Sequence, residues 1–212
     1  MRISRSVVLG TVLLLVTLKS VGQEQEPAKR LAFGFSLGAN HTLLTANGPY
    51  DPSGAVTART TNGWGFCMGT LSEWQMSHKT SLIARAEMSF NPTKIDLLNA
   101  GNVVGSYNVY RNLLDFSLHA TYGWTAGERK IYVLAGPMYR IPNNRTTGDE
   151  QVRAITRPDA AIDVGIGREK KLFNFRTALE LRYTQGLRDL FNADQAGDLF
   201  FRTVSLNLCI KG

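Results

Sequence analysis

Phe173-Asn174-Phe175-Arg176-Thr177-Ala178-Leu179-Glu180-Leu181-Arg182-Tyr183-Thr184 alternates apolar or aromatic residues with small, polar and charged ones, step by step. Side chains two apart share one face of a β-strand, and neighbours point to opposite faces. A strand over 171–184 therefore carries Phe173, Phe175, Thr177, Leu179, Leu181 and Tyr183 on one side. Asn174, Arg176, Ala178, Glu180, Arg182 and Thr184 lie on the other.

The same two-sided pattern recurs on either side of this stretch. Strands are expected over 31–41, 62–75, 79–91, 107–123, 129–140, 158–168, 171–184 and 199–210. Leu31, Phe33, Phe35 and Leu37 alternate with Ala32, Gly34, Ser36 and Gly38. Leu114, Phe116, Leu118 and Tyr122 alternate with Asp115, Ser117, His119 and Thr121. The segment Ile131 to Tyr139 is apolar on both faces, so its sides are not assigned.

Two features point to a membrane rather than a soluble sandwich. The links at 42–61, 92–106, 141–157 and 185–198 are long and polar, whereas those near 76–78, 124–128 and 169–170 are short. That rhythm describes an up-and-down barrel with both ends of the chain on the short-turn side. Aromatics also gather at strand ends, where amphipathic rings suit a membrane–water boundary. Trp64, Phe90, Tyr107, Tyr110, Tyr139, Tyr183, Phe200 and Phe201 fall at the long-loop ends, and Trp74, Tyr122 and Trp124 at the short-turn ends. The expected fold is all-β: an eight-stranded antiparallel up-and-down transmembrane β-barrel over 31–212.

The first residues fit delivery to an outer membrane. Arg2 and Arg5 precede an apolar run from Val7 to Val16, and Ser20-Val21-Gly22 offers a cleavage site before polar Gln23 to Glu26. This is the pattern of a secretory signal peptide over 1–22, followed by a short segment, 23–30. The apolar run is shorter than the roughly 20 residues a spanning helix needs, and no second long run follows. Losing Arg2, Arg5 and Lys19 lowers the formal charge from +7 to +4, too mild a balance to indicate nucleic acid. Cys67 and Cys209 match no metal spacing and are expected as unpaired thiols.

With apolar faces toward lipid, the opposite faces point into the barrel. They carry Glu73, Arg85, Glu87, Asp115, His119, Asp163, Arg176, Glu180 and Arg182. Buried charges must be paired and hydrogen-bonded, so these residues are expected to form a salt-bridged plug. The sharper alternative is a catalytic or proton-conducting site built on the carboxylates. Arg202 shares parity with outward Val204 and is expected to snorkel near the long-loop end. No G-x-S-x-G, phosphate-binding loop or paired C-x-x-C occurs. No catalytic residue, cofactor or metal site is expected, and His41, His78 and His119 are scattered. Asn144-Arg145-Thr146 reads as a sequon or an ordinary loop.

Several stretches resemble the PorT-family outer-membrane β-barrel proteins of the Bacteroidetes. They are Phe33 to Asn40, Gly65 to Phe90 with Arg85-Ala-Glu-Met-Ser-Phe90, Asn112 to Leu118, Ile131 to Tyr139, Asp163 to Gly167 and Leu179 to Leu187. Such barrels commonly finish on an aromatic, where this chain ends Leu208-Cys209-Ile210-Lys211-Gly212. The resemblance implies an outer-membrane location and a link to secretion, and it carries over no catalytic residue. The functional expectation is a non-enzymatic barrel that is structural or contacts a partner. Its partners would be outer-membrane lipid and a protein at the extracellular loops or the periplasmic face. Loop 141–157, with Arg145, Arg153 and Arg157 beside Asp149 and Glu150, is the most distinctive loop. A lipid-modifying barrel enzyme and a soluble periplasmic barrel holding an apolar ligand are the alternatives.

Overall fold

In a computed structural model, residues 31–47, 53–109, 112–126, 129–143, 158–189 and 198–212 are described. The expected signal peptide, the segment 23–30, Asn144 and Tyr110 lie outside them, as does the charged part of loop 141–157. The described chain is all-β. Its strands are β1 (Leu31–Asn47), β2 (Val56–Thr61), β3 (Gly63–Gln75), β4 (Thr80–Phe90), β5 (Thr93–Asn99) and β6 (Asn102–Val109). They continue with β7 (Asn112–Ala126), β8 (Arg129–Pro142), β9 (Asp159–Leu172), β10 (Phe175–Gly186) and β11 (Asp198–Lys211).

Eight of these strands close a barrel in the order β1-β11-β10-β9-β8-β7-β4-β3, with β3 returning to β1. All neighbours are antiparallel. The closing seam is long: β1 pairs with β11 from Gly34 opposite Lys211 to Asn47 opposite Asp198. Closure leaves no barrel edge with unpaired backbone groups. One break in the ladder has a covalent cause. The β7–β8 pairing skips from Ser117↔Met138 to Ala120↔Ala135, and Pro137, which has no N–H to give, sits in the gap.

Alternation sorts the side chains as the period of two requires. Phe33, Phe35, Leu37, Phe116, Leu118, Ile162, Val164, Ile166, Leu179, Leu181, Leu206 and Leu208 all point out and stand exposed. Polar groups such as Ser36, Asn40, Glu87, His119, Asp163, Glu180 and Asn207 point in and are buried. The molecule is inside-out relative to a soluble domain. β8 resolves on the same rule, with Tyr132, Leu134, Met138 and Arg140 inward and Val133, Tyr139 and Ile141 outward.

Four sequence expectations need correction. Parts of 42–61 and 92–106 are strands, not polar loops: β1 runs on to Asn47, and β2, β5 and β6 form a separate sheet in the order β2-β5-β6. Residues 107–109 belong to β6, so Tyr107 lies on that sheet rather than at a barrel strand end. The turn expected at 169–170 lies at 173–174. Phe173 adopts φ 55° there and is 94% exposed, so it caps a hairpin instead of lining a strand. Phe201 is fully buried and points inward, because its parity is that of Thr203 and Ser205.

Candidate functional site

The barrel interior is the chemically distinctive region. Glu73 enters from β3, Arg85 and Glu87 from β4, Asp115 and His119 from β7. Asp163 enters from β9, and Arg176, Glu180 and Arg182 from β10. Each stands on the inward parity of its strand, and all are buried except half-buried Arg176. The residues fall into three groups along the barrel axis.

Near the short turns, Lys211 Nζ donates to Glu73 Oε2 at 3.0 Å and also pairs with Glu169. Arg176 reaches both carboxylates, at 3.1 and 3.6 Å. Ser81 Oγ donates to the other Glu73 oxygen at 2.8 Å.

In the middle, Arg85 Nη2 donates to Glu180 Oε1 at 2.8 Å, and the Tyr132 hydroxyl donates to the same oxygen. Arg182 Nη1 donates to Glu87 Oε2 and its Nε to Asp163 Oδ2, both at 2.8 Å. Ser36 Oγ completes Glu87 at 2.7 Å. In the ring of eight strands β4 and β10 are four steps apart, so Arg85–Glu180 and Arg182–Glu87 cross the lumen from wall to wall.

Toward the long loops, Arg140 Nε donates to Asp115 Oδ1 at 2.8 Å, and Ser89 Oγ donates to Oδ2 at 2.9 Å. The Arg140 guanidinium lies 4.0 Å over the Phe201 ring. The space left between Asn40, Asp115, Arg140 and Thr203 is about 10 Å³, enough for one water. The lumen at this level is filled by side chains.

The sequence inventory missed Tyr132, Arg140, Glu169 and Lys211. Tyr132 and Arg140 lie on the strand whose two faces are both apolar. Glu169 and Lys211 fall one residue beyond the expected strand ends. The signal for Glu169 and Lys211 was parity: extending 158–168 and 199–210 by one residue brings both inward.

Ser117, His119 and Asp163 also meet. Ser117 Oγ is 3.5 Å from His119 Nδ1, and His119 Nε2 is 3.0 Å from Asp163 Oδ2. The residue types match an acyl-transfer triad, but the setting does not. His119 and Asp163 are fully buried, and Asp163 also accepts from Arg182 and from Thr184 Oγ1, at 2.8 and 3.1 Å. The serine contact is at the long limit of a hydrogen bond. Among the described residues no group of three potential metal ligands occurs. His41 packs against Trp64 with ring centroids 4.6 Å apart and planes tilted by 39°. Cys67 and Cys209 are free and buried: Cys67 Sγ donates to Asn207 Oδ1 at 3.1 Å, and Cys209 Sγ accepts from Arg85 at 3.4 Å.

A closed eight-stranded antiparallel barrel, greasy outside and ion-paired inside, defines the class: this is the fold of small outer-membrane barrel proteins. The sequence matches no protein-family model and no curated protein. Among solved structures it is similar in fold to Neisserial surface protein A, at 13% identity over 85% of this chain and 99% of that one, with a TM-score of 0.47. It is also similar to Ail, the attachment invasion locus protein of Yersinia pestis, at 11% identity over 86% and 99%, with a TM-score of 0.42. That structure was solved in complex with the heparin analogue sucrose octasulfate.

Proposed function

We propose that this chain is an integral outer-membrane barrel without enzymatic chemistry, whose work is done by the surface it presents beyond its long-loop end. The observation that carries this reading is the sheet β2-β5-β6. It continues the chain past β1, β3, β4 and β7, and Thr60 Oγ1 anchors it to the Leu44 carbonyl at 2.8 Å. Its outermost strand β6 is uncharged and holds Val103 and Val104 at 55% and 60% exposure. Apolar side chains on a terminal strand suit contact with a protein partner.

In this reading the outer wall lies in hydrocarbon and the short turns face the periplasm. The lumen is a structural plug rather than a pore or a catalytic centre. The enclosure of Ser117, His119 and Asp163 supports that choice over a lipid-modifying enzyme. Signal-peptide removal at or near Gly22, supported by the charged start and apolar run of the first residues, belongs to the same proposal, as do membership of the PorT family and a link to secretion, which the sequence resemblance supports.

The test is co-purification from detergent, comparing the full mature chain with a variant in which 94–108 is replaced by a short Gly-Ser turn. The reading expects a co-purifying protein that disappears with the sheet while the barrel still migrates as a folded, heat-modifiable band. Retention of the same partner after the replacement would move the working surface elsewhere.

A further inference from the structure

Among the described side chains that face outward from the eight barrel strands, the charged ones are Arg168, Lys170 and Arg202. All are cations, while the carboxylates of these strands whose side chains are described stand inside. Two of the three sit together. Arg168 and Lys170 are two residues apart on β9, so their side chains leave the same face of one strand.

Their position is defined by the register. Arg168 lies opposite Ile131 on one side and Leu179 on the other, and Ile131 in turn lies opposite Trp124 of the short-turn aromatic set. Exposed Phe173 lies in the nearby turn, and exposed Phe175 follows it. The pair therefore stands at the boundary level of the short-turn end, where headgroups meet hydrocarbon. Between the strands runs a groove of about 370 Å³. Arg168 and Lys170 form one rim, and Leu172, Thr177, Leu179 and Leu208 line the rest. No described carboxylate pairs with either cation.

We infer that this groove is a binding site for one anionic phospholipid of the leaflet at the short-turn side, its phosphate held between Arg168 and Lys170 and an acyl chain laid over Leu179 and Leu208. The inference rests on the membrane reading above. Two unopposed cations beside an apolar channel match the two halves of such a lipid. Arg presents a planar fork suited to phosphate oxygens, and Lys adds a flexible point charge. A cation that merely snorkels needs only water or any headgroup; a groove continuing below the charges selects a molecule with both parts.

The test uses the mature chain folded in detergent, titrated with dioleoyl-phosphatidylglycerol and followed by native mass spectrometry. Wild type is expected to hold one phosphatidylglycerol, and R168Q/K170Q to lose affinity by roughly thirty-fold, the effect of two interfacial cations. R202Q, at the other rim, is expected to bind as wild type does. Uncharged dioleoylglycerol, which lacks the phosphate, is expected to bind weakly to every variant. The double variant keeping wild-type affinity, or dioleoylglycerol matching phosphatidylglycerol on wild type, overturns the site. All three residues are exposed, so folding is checked by heat-modifiable mobility; should R168Q/K170Q not fold, R168Q and K170Q separately must each weaken binding. If wild type does not partition with vesicles at all, the membrane reading fails rather than the groove.

Discussion

Arg85 on β4 and Glu180 on β10 stand on opposite walls of the barrel, and their charged groups meet at 2.8 Å across its axis. Backbone hydrogen bonds tie each strand only to its neighbours. A diametric ion pair ties walls that share no ladder, so the interior braces the cylinder. Removing one partner strands a buried charge, which costs about 3–5 kcal/mol, whereas removing both can be nearly neutral. Arg85→Met is expected to lower the stability of the folded barrel by that amount in urea titrations in detergent. R85M/E180L is expected to recover more than half of it. Equal losses in the single and double variants would show that the pair does not act as a unit.

Tyr132 occupies room that only a glycine leaves. A Cβ at Gly167 would fall within the Tyr132 ring, whose hydroxyl donates to Glu180. Gly167→Ala is expected to cost about 1–3 kcal/mol through overpacking, and to cost less when combined with Tyr132→Leu. The same titrations read both, and additive losses would separate the two residues.

The β5–β6 turn holds Ala100 at φ 49° next to Gly101 at φ 83°. Positive φ at both central positions is the turn geometry that Asn-Gly prefers, and an alanine is strained there. Ala100→Asn is expected to stabilise this hairpin by about 1 kcal/mol, seen as slower amide exchange in β5 and β6 with the barrel strands unchanged. Faster exchange would contradict the turn assignment.

The same hairpin carries an acid-sensitive contact. Ser106 Oγ donates to Asp96 at 2.8 Å and Arg59 at 3.2 Å, and these bonds hold the carboxyl below the usual carboxylate range. A lowered folded-state value stabilises the sheet above the unfolded value, about 3.9, and that contribution fades as pH falls through the folded one. Protection of β2 and β5 amides, corrected for intrinsic exchange, is expected to fall as pH drops below about 4. Asp96→Asn should remove the dependence; an unchanged profile in that variant would assign it to another group.

How much of this was legible follows from what a period of two encodes. Facing is parity, so Arg85, Glu87, Asp115, His119, Asp163, Glu180 and Arg182 could be placed inside from their own strands. Pairing partners could not, because Arg85–Glu180 depends on ring order and on the shear that brings distant residues level. β8 gave no parity signal, since Tyr132, Leu134 and Met138 on its inner face are as apolar as Val133 and Tyr139 outside. Arg140 went unseen with it. The β2-β5-β6 sheet lies in stretches whose overall polarity matches that of loops, although Thr93, Ile95 and Leu97 alternate with Lys94 and Asp96 and end buried.

Ser117 offers a check on the enzyme alternative. Phospholipid hydrolysis by the detergent-folded chain, compared with Ser117→Ala, is expected at background in both. Activity in wild type that the alanine abolishes would make the buried Ser117–His119–Asp163 contact catalytic.

The protein's three tryptophans report directly on whether hydrocarbon covers the outer wall. Trp64, Trp74 and Trp124 all face outward, at 73%, 42% and 45% exposure. Reconstituted in vesicles whose acyl chains carry bromine, the chain should lose most of its tryptophan fluorescence, while aqueous acrylamide quenches little. Fluorescence that survives the brominated chains and yields to acrylamide would mean that the apolar wall lies in water or against protein.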